Sequence, residues 1–266
     1  MSAHTDNERS EAGSCRAAPC SPYYDYGGVT IYCGDCLEIM PQLNMRFDLC
    51  FTSPPYNKGK QSGAYANMRN AYESWADDLP QDEYMRWQWD CVHQMAKISD
   101  AVFYNHKPQI KEGTVMLPTE YIPKSLNLRQ VIVWDRGGGF NHSPGQFVPA
   151  CEWIMLVAGK DWKMPTRGSG SAGDVWRIKI ENDKTDHPCA YPVELVTTAI
   201  HATGAETILD PFGGSGTTAR AAKDLGKRCV MIEKEEKYCE IAAERLSQEV
   251  LPIFEANSRN ITENSG

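Results

Sequence analysis

The sequence predicts an α/β fold on a parallel sheet. Three observations carry that prediction. Strand-like apolar runs alternate with helix-length segments through the last third of the chain, the pattern of strand–helix–strand crossovers. One of those strands runs directly into a glycine-rich turn, "LDPFGGSGTT", that opens a helix. And 266 residues, 41% of them hydrophobic, suffice for one large domain with a real core.

Taken in order, Val29, Ile31 and Cys33 alternate with Thr30 and Tyr32 as in a half-buried strand. Phe47, Leu49, Cys50 and Phe51 read as a short buried strand. Over 81–98, Tyr84, Trp87, Cys91, Met95 and Ile98 share one face of a helix. Residues 101–105, 130–134 and 152–159 read as strands, while 135–149 and 160–186 are rich in Gly, Ser and Pro and read as long loops. Loops of that length inside a compact domain usually carry function. Pro192 starts a helix that Gly204 ends; a strand runs to Asp210; a helix over 215–226 closes at Gly226; a strand over 227–233 and a helix over 234–250 follow. The domain therefore spans 23–251, between polar tails at 1–22 and 252–266 that read as flexible.

Composition narrows the function classes. No run approaches ~18 apolar residues, so no membrane span is expected. The N-terminus lacks an apolar signal-type core, which with ten scattered cysteines predicts a reduced, intracellular setting. Cys33 and Cys36 form the lone C-x-x-C, without a second pair, so no metal site is expected. A net charge of −8 argues against broad, non-specific nucleic-acid binding but leaves room for local basic clusters: Lys58, Lys60 and Arg69, or Lys160, Lys163 and Arg167.

Two loops stand out chemically. In the first, Gly213, Gly214 and Gly216 let the backbone turn sharply and approach a ligand, and the helix beyond offers unpaired N–H groups. A P-loop would need a lysine beside Thr217, and there is none. A dinucleotide loop would carry a third glycine and would not place Asp210 before the turn, where it repels a pyrophosphate. Asp210 instead suits a cationic nucleoside such as S-adenosyl-L-methionine, and Glu233, at the end of the next strand, is placed to accept ribose hydroxyls. The second loop is "TSPPYN": a strand ends in Ser53, two rigid prolines, Pro54 and Pro55, and an aromatic, Tyr56. Prolines present carbonyls without competing N–H donors.

Together, "TSPPYN" (52–57) and "DPFGGSGTT" (210–218), in that order, resemble the catalytic and cofactor motifs of the beta-ordered DNA amino-methyltransferases, over roughly residues 29–250. The segments 31–43 and 186–200 are similar to family stretches that precede the two motif strands. The resemblance implies a Rossmann-like methyltransferase sheet, mostly parallel with one antiparallel strand, helices on both faces and small inserted recognition loops, near 58–75, 135–149 and 160–186. It implies S-adenosyl-L-methionine as cofactor, held by Asp35, Cys36, Asp210, Pro211, Phe212, Gly213, Gly214, Ser215, Gly216, Thr217 and Glu233. Asp35 also reads simply as a turn residue after Gly34.

The implied partner is double-stranded DNA, acted on by a monomer or homodimer in a restriction-modification setting. The target base leaves the helix, Ser53 Oγ and the Pro54 carbonyl accept from its amine, and Tyr56 stacks on it. Arg136, His142, Lys163 and Arg167 are groove or phosphate candidates. Serine in the first motif position favours cytosine N4; adenine N6, or an RNA or protein-amide substrate, are the alternatives.

Overall fold

The computed structural model describes residues 21–58, 78–111, 113–139, 145, 147–164, 173–180 and 191–248. Both predicted tails, apart from a few residues, lie outside that range, as do residues 59–75 of the first recognition segment and Lys60, Arg69, His142 and Arg167.

In chain order the elements are β1 (Tyr24–Tyr26), β2 (Val29–Cys33), α1 (Cys36–Ile39), β3 (Phe47–Thr52), α2 (Gln81–Ile98), β4 (Ser99–His106), β5 (Gln109–Lys111), β6 (Thr114–Met116), β7 (Leu128–Asp135), β8 (Cys151–Ala158), β9 (Val175–Arg177), α3 (Val193–Thr203), β10 (Thr207–Asp210), α4 (Thr217–Asp224), β11 (Arg228–Glu233) and α5 (Glu236–Ser247). Nine strands form one sheet in the order β1-β2-β11-β10-β3-β4-β8-β7-β9, and β5 and β6 form a separate hairpin. From β2 through β4 every pairing is parallel. In the body of the sheet, β8 is the strand that runs against its neighbours; the short edge strand β1 also pairs antiparallel.

Alternate residues of the central strands feed two cores. Leu49, Phe51, Phe103, Ile208 and Met231 face one way, toward Leu195 and Ile200 of α3, Ala221 of α4 and Leu246 of α5. Cys50, Val102, Tyr104, Leu209 and Ile232 face the other, toward Ile39 of α1 and Tyr84, Val92 and Met95 of α2. Burial on both faces explains why these strands read as continuous apolar runs. Gly204 closes α3 in the left-handed region at φ +64°, its N–H bonded to the Ile200 carbonyl.

Several short elements went unread in the sequence. β1 and β9 are three-residue edge strands, too short to show a period, and β9 lies inside the segment expected to be loop. The four-residue α1 is made by its cap: Asp35 Oδ1 accepts from Leu37 N at 2.9 Å. The hairpin of β5 and β6 has three residues per strand.

The topology decides where chemistry occurs. β3 and β10, from opposite halves of the chain, lie side by side in register, Leu49 opposite Ile208 and Cys50 opposite Leu209. On one side of this pair the chain order leads to β4, on the other to β11 and β2. The carboxyl ends of the strands open a crevice at such a switch point. Both sequence loops emerge there.

Candidate active site

β3 delivers the proline loop. Thr52, fully buried at the strand's last residue, donates through Oγ1 to Asp210 Oδ1 at 2.6 Å. Ser53 follows, its Oγ 2.8 Å from the Tyr56 hydroxyl. The two prolines separate in role. The Pro55 carbonyl accepts from the Tyr84 hydroxyl at 2.6 Å, whereas among the described residues no donor reaches the Pro54 carbonyl. Asn57 absorbs the reversal of the chain at φ +52°, a left-handed conformation that asparagine tolerates. Its side chain accepts from Leu79 N at 2.7 Å and donates to the Leu79 carbonyl at 2.8 Å.

Tyr56 is only 9% exposed. Its hydroxyl donates to Glu152 Oε2 at 2.9 Å, and its ring lies 4.4 Å from that of His106, tilted by 39°. Lys58 Nζ and Lys107 Nζ stand 5.3 and 6.0 Å from the ring centroid. Without substrate the ring is packed, its hydroxyl turned inward to a buried carboxylate. Burial, and then the like charge of Lys58, push the Lys107 ammonium down to about 8.

Glu152 sits near the start of β8 and is 8% exposed. Oε2 also accepts from Asn105 Nδ2 at 2.8 Å, and Oε1 is ion-paired with Arg136 Nη1 at 3.0 Å. Arg136 is anchored by a second bond, Nη2 to the Pro149 carbonyl at 2.6 Å. The Asn105 amide is in addition 3.1 Å from the Tyr56 hydroxyl and 3.4 Å from Ser53 Oγ. No sequence motif singled out Glu152 or Asn105. The available signal was a lone carboxylate heading the apolar run "EWIMLVAG", and an asparagine near the end of "AVFYN".

β10 delivers the glycine loop. Asp210 has no exposed surface. Oδ1 accepts from Thr52 Oγ1 and from Phe212 N at 3.1 Å, and Oδ2 from the Tyr191 hydroxyl at 3.0 Å. Without ligand, these three bonds tie Asp210 to the strand end of the proline loop and to its own turn, and leave a lone pair on Oδ2. Burial raises its carboxyl above the usual range despite these bonds, which pull it down.

Gly214 and Gly216 turn the backbone through the left-handed region. A Cβ on Gly213 would stand 2.1 Å from Met231 Cγ, and Gly216, at φ +81°, would bring one to 2.9 Å from Ala242 Cβ. Gly216 caps α4. Glu233 Oε2 accepts from Gly214 N at 2.8 Å and Oε1 from Glu235 N at 2.9 Å, so the carboxylate braces the loop with lone pairs to spare. Burial pushes Glu233 up to about 7, against the pull of those amides. Ser215 Oγ is buried and has no partner among the described residues. Pro211 and Phe212 lead into the turn, and Phe212 packs 5.5 Å from the Trp87 ring of α2. Thr217 Oγ1 accepts weakly from Arg245, at 3.3 Å.

Asp35 and Cys36 lie just past the end of β2, whose Cys33 is in register with Glu233. Asp35 has structural work, capping α1 and meeting Lys234 Nζ at 3.1 Å, and Cys36 is buried. Among the described residues no group of three or more His, Cys, Asp or Glu side chains is placed to hold a metal, and no helix is long and apolar enough to cross a membrane.

The doubly covered sheet and the two loops joined at its switch point define a Rossmann-like methyltransferase. The chain belongs to the N6/N4 DNA methylase family, whose sequence profile matches residues 47–244. It is 30% identical to the type II methyltransferase M.ScaI of Streptomyces caespitosus over 88% of this chain and 86% of that one. Among solved structures, PvuII DNA methyltransferase (cytosine-N4-specific) superposes with a TM-score of 0.65 at 16% identity, covering 86% of this chain and 90% of that one. A putative DNA modification methylase of Thermus thermophilus, complexed with S-adenosyl-L-methionine, gives 0.56 at 18% identity, covering 81% and 93%. The likeness to these two structures is one of fold.

Proposed function

We propose that the protein moves a methyl group from S-adenosyl-L-methionine to the exocyclic amine of a base flipped out of double-stranded DNA, and that the base is cytosine, methylated at N4. The observation that carries the reading is the 2.6 Å bond from Thr52 to Asp210, which ties the proline loop to the glycine loop at one end of the sheet. The cofactor fits the residues present. Ser215 offers a buried hydroxyl in need of a partner, Glu233 offers free lone pairs to ribose hydroxyls, and the tight glycines leave the backbone open to close approach. The amides at the start of α4 suit a carboxylate.

When bound, the cofactor supplies an electrophilic methyl on sulfur. The chain's own residues prepare the nucleophile. An exocyclic amine is poor because its lone pair is delocalised into the ring. Ser53 Oγ and the Pro54 carbonyl accept its two N–H bonds and turn the lone pair toward the methyl. Among the described residues no donor competes for that carbonyl, and Tyr84 fixes the neighbouring one, so little ordering remains to be done when substrate arrives. A serine rather than a carboxylate in the first position favours cytosine. Lys58 and Lys107, beside the Tyr56 ring, fit the phosphates of the DNA. Withdrawal of the two lysines to phosphate would free a face of Tyr56 for the base.

The test is digestion of duplex DNA, incubated with the protein and methyl-labelled cofactor, to nucleosides for mass spectrometry. N4-methyldeoxycytidine is expected. Label on N6 of adenine would move the target base; label on RNA or protein alone would refute the substrate.

A further inference from the structure

We propose that Glu152, acting through Tyr56, makes Ser53 a one-way acceptor for the target amine and takes up the proton that methylation releases. The inference rests on the amine-methylation reading and deepens it. The argument is a count of protons. A carboxylate held by Arg136 only accepts, so the single hydroxyl proton of Tyr56 is committed to Glu152 Oε2, 2.9 Å away. The 2.8 Å contact between Ser53 and Tyr56 must then be donated by Ser53. Asn105, 1% exposed, secures the arrangement from the side by donating to the same carboxylate oxygen at 2.8 Å. Ser53 thus has its proton turned away from the substrate pocket and its lone pairs left for the amine. Without Glu152, Tyr56 could donate to Ser53, and the serine proton would be free to point at the amine, donor against donor.

The same chain balances the reaction. Once methylated, the target nitrogen carries one proton too many. Its N–H bond breaks as Ser53 Oγ takes that proton. Ser53 passes its own to the Tyr56 oxygen, and Tyr56 passes its own to Glu152 Oε2. The product amine ends neutral, both hydroxyls are restored, and Glu152 ends as a neutral acid that later loses its proton to water. Glu152 touches neither substrate nor cofactor; it is a positioning residue and the terminus of the relay. Among the described residues, Arg136, Tyr56 and Lys107 are the ionisable groups whose charge or hydrogen bond bears on it, and Lys107 is itself flanked by Lys58.

The experiment measures single-turnover methyl transfer to duplex DNA for the wild type, Glu152→Gln and Tyr56→Phe, with cofactor affinity by calorimetry; Glu152→Asp serves as the conservative rescue. Glu152→Gln and Tyr56→Phe should each lose about 10²-fold in rate, the usual scale for a proton-transfer group. Cofactor Kd should stay within about threefold, since only the reacting end is changed. Glu152→Asp, which keeps a carboxylate at this position, should recover at least about tenfold of the rate that Glu152→Gln loses. A Glu152→Gln enzyme at the wild-type rate, or a Glu152→Asp enzyme no faster than a slow Glu152→Gln, overturns the proposal; the second result makes Glu152 a mere brace. If Glu152→Gln does not fold, Tyr56→Phe decides: it keeps the ring and the carboxylate, and a wild-type rate in it is equally fatal. A wild type that puts no methyl on a DNA amine refutes the proposed function instead.

Discussion

Replacing Thr52 by valine keeps the shape of a fully buried side chain and removes the hydroxyl that donates to Asp210. Hydrogen bonds to charged groups contribute about 1.5–3 kcal/mol, and here no water can replace the donor. Asp210 keeps two donors, Tyr191 and Phe212 N, so a loss of about 2 kcal/mol is expected, or a melting temperature lower by roughly 4–8 °C for a domain of this size. The loss should depend on pH with a definite sign. Burial raises the Asp210 carboxyl in the folded protein, and the Thr52 bond opposes that rise. A raised carboxyl adds stability in acid that fades as pH climbs through its folded value. Thr52→Val raises it further, so the deficit should be largest at neutral pH and shrink toward acid. Activity should suffer more than cofactor affinity, because a shift of about 1 Å between reacting groups can cost 10²-fold in rate. Scanning calorimetry at several pH values and single-turnover kinetics read both effects. A variant that melts within a degree of the wild type and turns over equally fast would refute the idea that this bond joins the loops.

Gly213→Ala should abolish cofactor binding by calorimetry, because the new methyl lands 2.1 Å from Met231 Cγ; Met231→Ala in the same chain should restore part of it. Cofactor affinity should rise with pH through about 7, as Glu233 ionises and becomes a full acceptor; titration calorimetry between pH 5.5 and 8.5 checks this, and Glu233→Gln should flatten the curve. Lys107→Met should weaken DNA binding uniformly across sequences and lower the salt slope by about 1, measured by fluorescence anisotropy. In the wild type that contribution should fade as pH rises through about 8, where Lys107 loses its charge.

The frame of the fold was legible where local chemistry dictates structure. The helix Gln81–Ile98 and the strand Val29–Cys33 have the bounds their periodicities predict, and Gly204 ends α3 as its position suggested. The adjacency of β3 and β10 was legible only through the order of two motifs, since periodicity says nothing of which strands pair. What stayed hidden depends on tertiary context. The sequence does not show that Thr52 and Tyr191, from distant segments, will both donate to Asp210. Nor does it show that the Tyr56 hydroxyl will meet Glu152, 96 residues away. Edge strands such as β9, three residues long, are too short to show a period.

The most direct measurement is a crystal structure of the protein with duplex DNA and a methyl-free cofactor analogue. A single pocket at the ends of β3 and β10 should hold both, with the target amine within about 3.2 Å of Ser53 Oγ and the Pro54 carbonyl, ordinary donor–acceptor reach. An analogue bound away from the glycine turn, or a base whose amine meets neither oxygen, would contradict the mechanism.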